Sequence, residues 1–364
     1  MTDETFDAVI VGGGNKALLL AMYLIKYGGM SVAIFERRHE IGGCLATEEI
    51  SAPGFRGNTH ATIVVPFYYG PHYRDFPEFW EYGAQCDQYL VSEGAVFRNN
   101  NTCLTIYSEK HDPTQERTAR EITRFSSRDA EQWLKFWKLW QSDELQRVVQ
   151  EGLFNPPEMR VAPEMLERQM ALYPNLVEAD FEPDSLRMSA SYLRCAKDLF
   201  ESKELQYCIM RYVLQQRDVS ETGVGVEMFS WAGSLPILSF VRGGTHQIAH
   251  AAHKILVRDG CKFFTHCEVV KVIIENGAAN GIRLADGSRI AARKLVVCTL
   301  NPAQLCFDLI GREHLDYRTV RRVEALESTF LCLMWYSFAL REAPKYEAAA
   351  FNADINETFW LGLA

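Results

Sequence analysis

The chain opens with a change of hydrophobic period. Ala8-Val9-Ile10-Val11 is an unbroken apolar run of strand length, the pattern of a strand covered on both faces. Gly12, Gly13 and Gly14 follow directly. A mainly apolar segment of helical length then runs from Ala17 to Tyr27, stopped by Gly28 and Gly29. Ser31 to Phe35 predicts a second strand, and it ends on an acid, Glu36. The pattern predicts a βαβ unit that begins with a glycine turn.

Further along, Ser127 to Glu151 has helical spacing. Trp133, Phe136, Trp137 and Trp140 share one face, while Lys135, Lys138 and Glu144 lie off it. Such a face packs inside a domain or lies in a membrane surface, and packing is the simpler reading. A second helical stretch runs from Leu186 to Gln216, and Asn155-Pro156-Pro157 and Pro163 mark breaks. Strands are predicted over Thr265–Ile274, Gly281–Leu284 and Leu295–Cys298, with a hairpin turn at Ala285-Asp286-Gly287-Ser288. Arg242-Gly243-Gly244-Thr245-His246 leads into a helix that ends near Asp259-Gly260. A helical piece follows Asn301, and Thr329–Leu340 reads as a last long strand.

The glycine turn carries chemistry. Gly12 allows a sharp exit from the strand, Gly14 a close approach of a pyrophosphate, and Ala17 supplies the third small position where helix meets sheet. The helix start at Asn15 and Lys16 presents free N–H groups and a positive dipole end to phosphates. Glu36 lies 24 residues after Gly12, close to the spacing of about 20 at which an acid takes a ribose diol. Together these features point to a bound dinucleotide.

Composition narrows the class. The chain has 364 residues, 48% hydrophobic and 23% charged, with a net charge of −9. That is a globular composition with length for two domains and no electrostatic footprint for nucleic acid. The ten cysteines are scattered without a Cys-x-x-Cys pair, which suits reduced thiols and a cytoplasmic protein. No signal peptide or membrane-spanning run is evident. Residues 66–100 are rich in aromatics, among them Phe67, Tyr68, Tyr69, Phe76, Phe79 and Trp80, which suit core or an apolar-ligand lining.

A second glycine pair, Gly42-Gly43, follows the acid in Glu36-Arg37-Arg38-His39-Glu40-Ile41-Gly42-Gly43. The combination of Gly12–Ala17, Glu36 and Gly42-Gly43 resembles flavoproteins of the phytoene desaturase and amine oxidase superfamily. The likeness is closest to the bacterial carotenoid desaturase and ketolase-like branch. Pro53–His60 resembles that family's Gly-Phe motif, though many desaturases carry Asp near Asn58. The order Gly243-Gly244, helix, strand, hairpin, strand resembles the family's second FAD segment, with Val269 matching the valine beside the adenine. The resemblance covers residues 5–70 and 235–305 well, and is general between them.

The resemblance implies an α/β fold: a doubly wound, FAD-binding Rossmann-like domain from residues 1–75 and 235–305, and an α+β substrate domain from 76–234 and 306–364. It implies FAD held by Gly12, Gly13, Gly14, Asn15, Lys16, Ala17, Glu36, Arg37 and Val269. The flavin would extend past Gly42, Gly43 and Cys44 towards Asn58 and His60. The implied activity is oxidation of a small apolar substrate of isoprenoid or carotenoid type, with peripheral membrane contact as one route for such a substrate. Family members continue into a Gly-rich C-terminal segment, so this chain is expected to be shortened at that end.

No catalytic base with a supporting partner is evident, and His60 is a candidate only through the resemblance. Related flavoproteins isomerise or hydrate without net redox turnover. The fold also resembles the Rab escort and GDP-dissociation-inhibitor proteins, which handle prenyl chains without flavin chemistry. A plain NAD-linked dehydrogenase is disfavoured by the second glycine pair. His246, His250 and His253 share a helix face at i, i+4 and i+7, but no carboxylate ligand stands near them in sequence, and no metal is expected. Substrate identity, electron acceptor and oligomeric state are not legible.

Overall fold

The computed structural model describes residues 5–154, 163–182, 184–215, 218–225, 232–326, 334 and 336–364. The elements used below are, in chain order, β1 (Thr5–Val11), α1 (Asn15–Lys26), β2 (Val32–Phe35), β3 (Thr47–Glu48), β4 (Gly57–Asn58), β5 (Val91–Phe97), β6 (Thr102–Tyr107), α2 (Ser127–Trp140), α3 (Lys203–Leu214), α4 (His246–Arg258), β7 (Lys262–Phe264), β8 (Val269–Glu275), β9 (Ala278–Leu284), β10 (Arg289–Cys298) and β11 (Thr358–Leu363). The described chain divides into two compact units. One comprises residues 1–64, 68–86 and 240–339, and the other residues 65–67, 87–239 and 340–364.

The first unit is built on a six-stranded sheet in the order β8-β9-β10-β1-β2-β7. β1 is parallel to both neighbours, with Ile10 opposite Ile34 on β2 and Val297 on β10. β2 is parallel to β7, while β8, β9 and β10 form an antiparallel meander. The unbroken apolar run of β1 is explained by burial on both faces, since successive side chains of a strand point to opposite sides. Ala8 and Ile10 join Ala17, Leu18, Ala21 and Met22 of α1 and Ala249, Ala252 and Ile255 of α4 in one core. Val9 and Val11 join Val272, Ile282, Ile290 and Leu309 in the other. The unit is α/β, as its period changes predict.

The second unit is α+β. Its sheet has the order β11-β5-β6, with β11 parallel and β6 antiparallel to β5. All four aromatics of the α2 face, Trp133, Phe136, Trp137 and Trp140, are buried. Ser126 caps the helix by accepting from the Asp129 N–H. The face is core, and it is not available to a membrane surface.

Several boundaries depart from expectation. Of the strand predicted over Thr265–Ile274 only Val269–Ile274 is strand, as part of β8, and residues 265–268 separate it from β7, which is not predicted. His266, at φ +53°, and Cys267 turn away to donate to the carbonyls of Arg38 and Glu36 at 3.0 and 2.9 Å. Residues 306–339 fall in the first unit rather than the second, because the π-helical turn Gln304–Ile310 buries Leu309 against the sheet. Residues 76–86 also join the first unit, where Phe76, Phe79 and Ala84 enter the α1–α4 core; 235–239 join the second. The aromatics Tyr73, Phe76 and Phe79 are core side chains.

The helix predicted over Ser127–Glu151 breaks between Trp140 and Asp143, and the one over Leu186–Gln216 is three helices, Ser185–Ser189, Tyr192–Leu199 and α3. The break expected at Asn155-Pro156-Pro157 lies outside the described residues, as does half of the strand expected over Thr329–Leu340. Residues 334 and 336–340, which are described, are not strand. Among the described residues no helix is long and apolar enough to cross a membrane.

Candidate functional site

The site is built where β1, α1 and the chain after β2 converge. Gly12 takes φ +90°, a conformation other residues rarely adopt, and a Cβ there would meet Thr299 and Leu300 at 3.2 and 3.1 Å. Gly14 is the N-cap of α1, with no side-chain cap and no acid in the first helical turn. A Cβ built on Gly14 finds nothing within 4 Å. The helix start is thus open, positive by its dipole and without an acid in its own first turn, which is a cradle for phosphate. Asn15 and Lys16 are exposed at its rim, and Ala17 is fully buried where α1 meets the sheet.

Glu36 stands beside this cradle. Its Oε2 accepts from the Gly13 N–H at 2.7 Å and its Oε1 from the Arg38 N–H at 2.8 Å. Each oxygen uses one of its two lone-pair sites, so the carboxylate is oriented and still able to receive a vicinal diol. The second glycine pair packs on the first. The Gly42 N–H donates to the Gly13 carbonyl at 2.8 Å, and a Cβ on Gly43, at φ +58°, would lie 3.0 Å from the Gly14 Cα. Cys44 is exposed immediately after.

The bonds of His266 and Cys267 to Arg38 and Glu36 bring the start of β8 alongside the acid. Val269 is half-buried there in the sheet core. Arg37, Arg38, His266, Cys267, Glu268, Leu284, Ala285 and Asp286 line an open cavity of about 640 Å³, within the range of small-molecule sites. Arg37, Glu36 and the approach to Val269 are therefore brought together at this end.

Asn58 and His60 are placed differently. The Asn58 Oδ1 accepts from the Thr47 hydroxyl at 2.8 Å and from the Thr245 N–H at 3.0 Å, tying the β3–β4 hairpin to the start of α4. That amide oxygen already has a structural task. His60 is exposed, with its Nδ1 2.8 Å from the Thr59 hydroxyl. Among the described residues no carboxylate supports it as a base.

The three histidines of α4 separate. His253 stacks edge-on against Phe263, with ring centroids 4.4 Å apart. His246 and His250 stay together, and Glu40 joins them. The expectation that no carboxylate stands near these histidines is therefore corrected. Glu40 and His246 are 206 residues apart, and no local signal links them. Burial lowers the affinity of His250 and His253 for a proton.

Residues 10–80 match the NAD(P)-binding Rossmann-like domain family. The first unit carries a dinucleotide-binding domain. Across 97% of its length the chain is 28% identical to one of the limonene dehydrogenase subunits of Castellaniella defragrans, covering 63% of that protein. The chain spans less than two thirds of the curated relatives it matches. Among solved structures, putrescine oxidase bound to putrescine aligns with TM-score 0.52 at 16% identity, over 88% of this chain and 63% of that one. A Rab GDI from Plasmodium falciparum aligns with TM-score 0.51 at 13% identity, over 84% and 67%. At such identities the two structures share the fold and nothing more is implied.

Proposed function

We propose that this chain binds FAD and serves in flavin-dependent oxidation of an apolar, isoprenoid-type substrate. The observation that carries the reading is the double glycine arrangement: an open Gly14 at the start of α1, Gly43 packed on it, and Glu36 oriented beside both. A single glycine turn with an acid suffices for NAD. The second pair extends the backbone cradle beyond the pyrophosphate, as a longer cofactor requires. FAD, when bound, supplies the hydride acceptor.

The residues divide the remaining tasks. The α1 N–H groups hold the pyrophosphate, Glu36 takes the ribose hydroxyls, and the approach to Val269 with the Arg37 cavity receives the adenine. The Gly42-Gly43-Cys44 backbone then guides the flavin end towards Asn58 and His60. The substrate class rests on the likeness to the limonene dehydrogenase relative, since limonene is an apolar isoprenoid hydrocarbon. A carotenoid or phytoene substrate is a narrower version of the same reading, supported by the motif resemblance alone. Access from a membrane surface would suit either substrate.

The fold is also shared with a Rab GDI, so a non-catalytic prenyl-binding role is the competing reading. Purified protein separates the two. A yellow preparation whose flavin absorbance bleaches under dithionite, and then recovers with an electron acceptor, supports the oxidoreductase. A colourless protein that takes up no added FAD overturns it. Bound FAD without any oxidation of limonene-type substrates would retain the cofactor assignment and remove the substrate class.

A further inference from the structure

Glu40, His246 and His250 present one ligand atom each within 4.8 Å of one another. His246 is the anchor. It is buried, 8% exposed, and its Nδ1 lies 2.8 Å from the Leu45 carbonyl. A carbonyl can only accept, so Nδ1 carries a proton, and it is the neutral form of the ring that presents a lone pair at Nε2. That Nε2 is buried without a hydrogen-bond partner among the described residues. The Glu40 Oε1 lies 2.8 Å from it, close enough to share a charge but out of hydrogen-bond alignment. His250, one helical turn on, brings its ring to 4.5 Å from that of His246 and is exposed.

A buried imidazole lone pair beside a carboxylate oxygen calls for a positive charge between them. The backbone carbonyl on the far side of the ring is the arrangement that fixes tautomer and orientation in metal-ligating histidines. Two imidazoles with one carboxylate suit borderline cations of the zinc type, whereas magnesium and calcium prefer an all-oxygen set. Tetrahedral ligands about 2.0–2.1 Å from zinc lie about 3.3 Å apart. Exposed Glu40 and His250 are free to adjust to that spacing around the fixed His246, Glu40 by moving outward from 2.8 Å.

We propose that Glu40, His246 and His250 form a three-ligand site for a divalent zinc-type cation, with water completing its coordination. The cation would clip the loop before Gly42 to the first turns of α4. This inference does not rest on the flavin reading, and its test needs no activity.

The test uses untagged full-length chain, stripped with chelator and dialysed, then titrated with Zn²⁺ by calorimetry and with Co²⁺ by visible absorption. The expected result is one equivalent of Zn²⁺ bound with Kd below about 10 μM, and Co²⁺ d–d bands of mixed nitrogen and oxygen ligation. His250→Ala and Glu40→Gln alter exposed side chains, so they leave the fold intact, and each should weaken binding by at least about tenfold. His253→Ala should change nothing. Absence of Zn²⁺ binding below about 100 μM, or binding undiminished in a Glu40→Gln/His250→Ala double variant, overturns the proposal.

Discussion

The two units place their polar chemistry in different parts of the chain. In the first, the groups poised for a ligand are mostly backbone: the bare start of α1 and the Gly42-Gly43 segment held against it through Gly13. In the second, the conspicuous polar groups are side chains sealed in the core. Asp129 is fully buried and accepts from the N–H groups of Glu201 and Ser202 at 2.9 and 2.8 Å, and from the Ser202 hydroxyl. Glu93 on β5 is likewise buried and faces Arg211 of α3, whose Nε donates to Oε1 at 3.0 Å. A backbone site costs little to keep exposed and needs only small residues. A buried carboxylate must have its partners supplied or it destabilises the fold. The first unit is arranged to receive something, while the second keeps its carboxylates inside, Asp129 satisfied and Glu93 with its Oε2 buried without a hydrogen-bond partner among the described residues.

The largest expected effect is in the second unit. Burial pushes the Glu93 carboxyl up to about 8 from 4.5, against the opposing pull of Arg211. Its folded affinity for a proton exceeds the unfolded one. Its contribution to stability is therefore full below about pH 4.5 and is lost as pH rises to about 8. The loss is on the order of 3–5 kcal/mol. Urea unfolding at pH 5, 7 and 9, followed by the fluorescence of Trp133, Trp137 and Trp140, should show it. Glu93→Gln, which mimics the protonated acid, should flatten the profile; parallel pH curves for the two proteins would refute the assignment.

Asp129→Ala should come next. It strands two buried donors of Ser202 and the part-buried Glu201 N–H and should cost about 3 kcal/mol in the same unfolding assay, while FAD uptake by the first unit persists. Loss of both properties together would show that the units do not divide their tasks in this way.

Gly14→Val reverses the pattern. The new side chain meets no protein atom near its Cβ, so the melting temperature should stay within about 2 °C of the parent. The phosphate cradle is filled, and FAD affinity, read by flavin fluorescence quenching, should fall by about 100-fold, or ~2.7 kcal/mol. Unchanged FAD affinity would remove Gly14 from the site. Glu36→Gln is the mildest change, because the amide oxygen still accepts from the Gly13 N–H. Its NH2 replaces the oxygen that accepts from the Arg38 N–H and would receive the ribose diol, so FAD affinity should fall about tenfold, or ~1.4 kcal/mol, with a loss of stability on the order of 1 kcal/mol.

This contrast also explains what the sequence could reveal. Gly12, Gly14, Ala17 and Glu36 are legible because a backbone site dictates residue type at fixed local spacing. β1 and β2 are legible because burial on both faces leaves an unbroken apolar run. The interruption at Thr265–Glu268 is not legible. Its cause is a pair of N–H groups diverted to carbonyls at positions 36 and 38, over 220 residues earlier. Glu40 beside His246, Asp129 beside Ser202 and Glu93 beside Arg211 are hidden for the same reason. Each depends on a partner that only the folded chain brings near.

The position of β1 has a consequence for how the protein is made. It is a central strand, yet one of its two neighbours, β10, ends at Cys298. During synthesis the glycine cradle emerges first, on a strand with one edge unpaired and one flank lacking α4. Its apolar surface must stay out of other associations while some 290 further residues leave the ribosome. At roughly 5–20 residues per second that wait lasts on the order of 15–60 s. The long loop closed by β1 and β10 predicts slow assembly and a demand for chaperones. Cofactor loading then belongs to the last stage of biogenesis, when the late strands close over an early-made cradle.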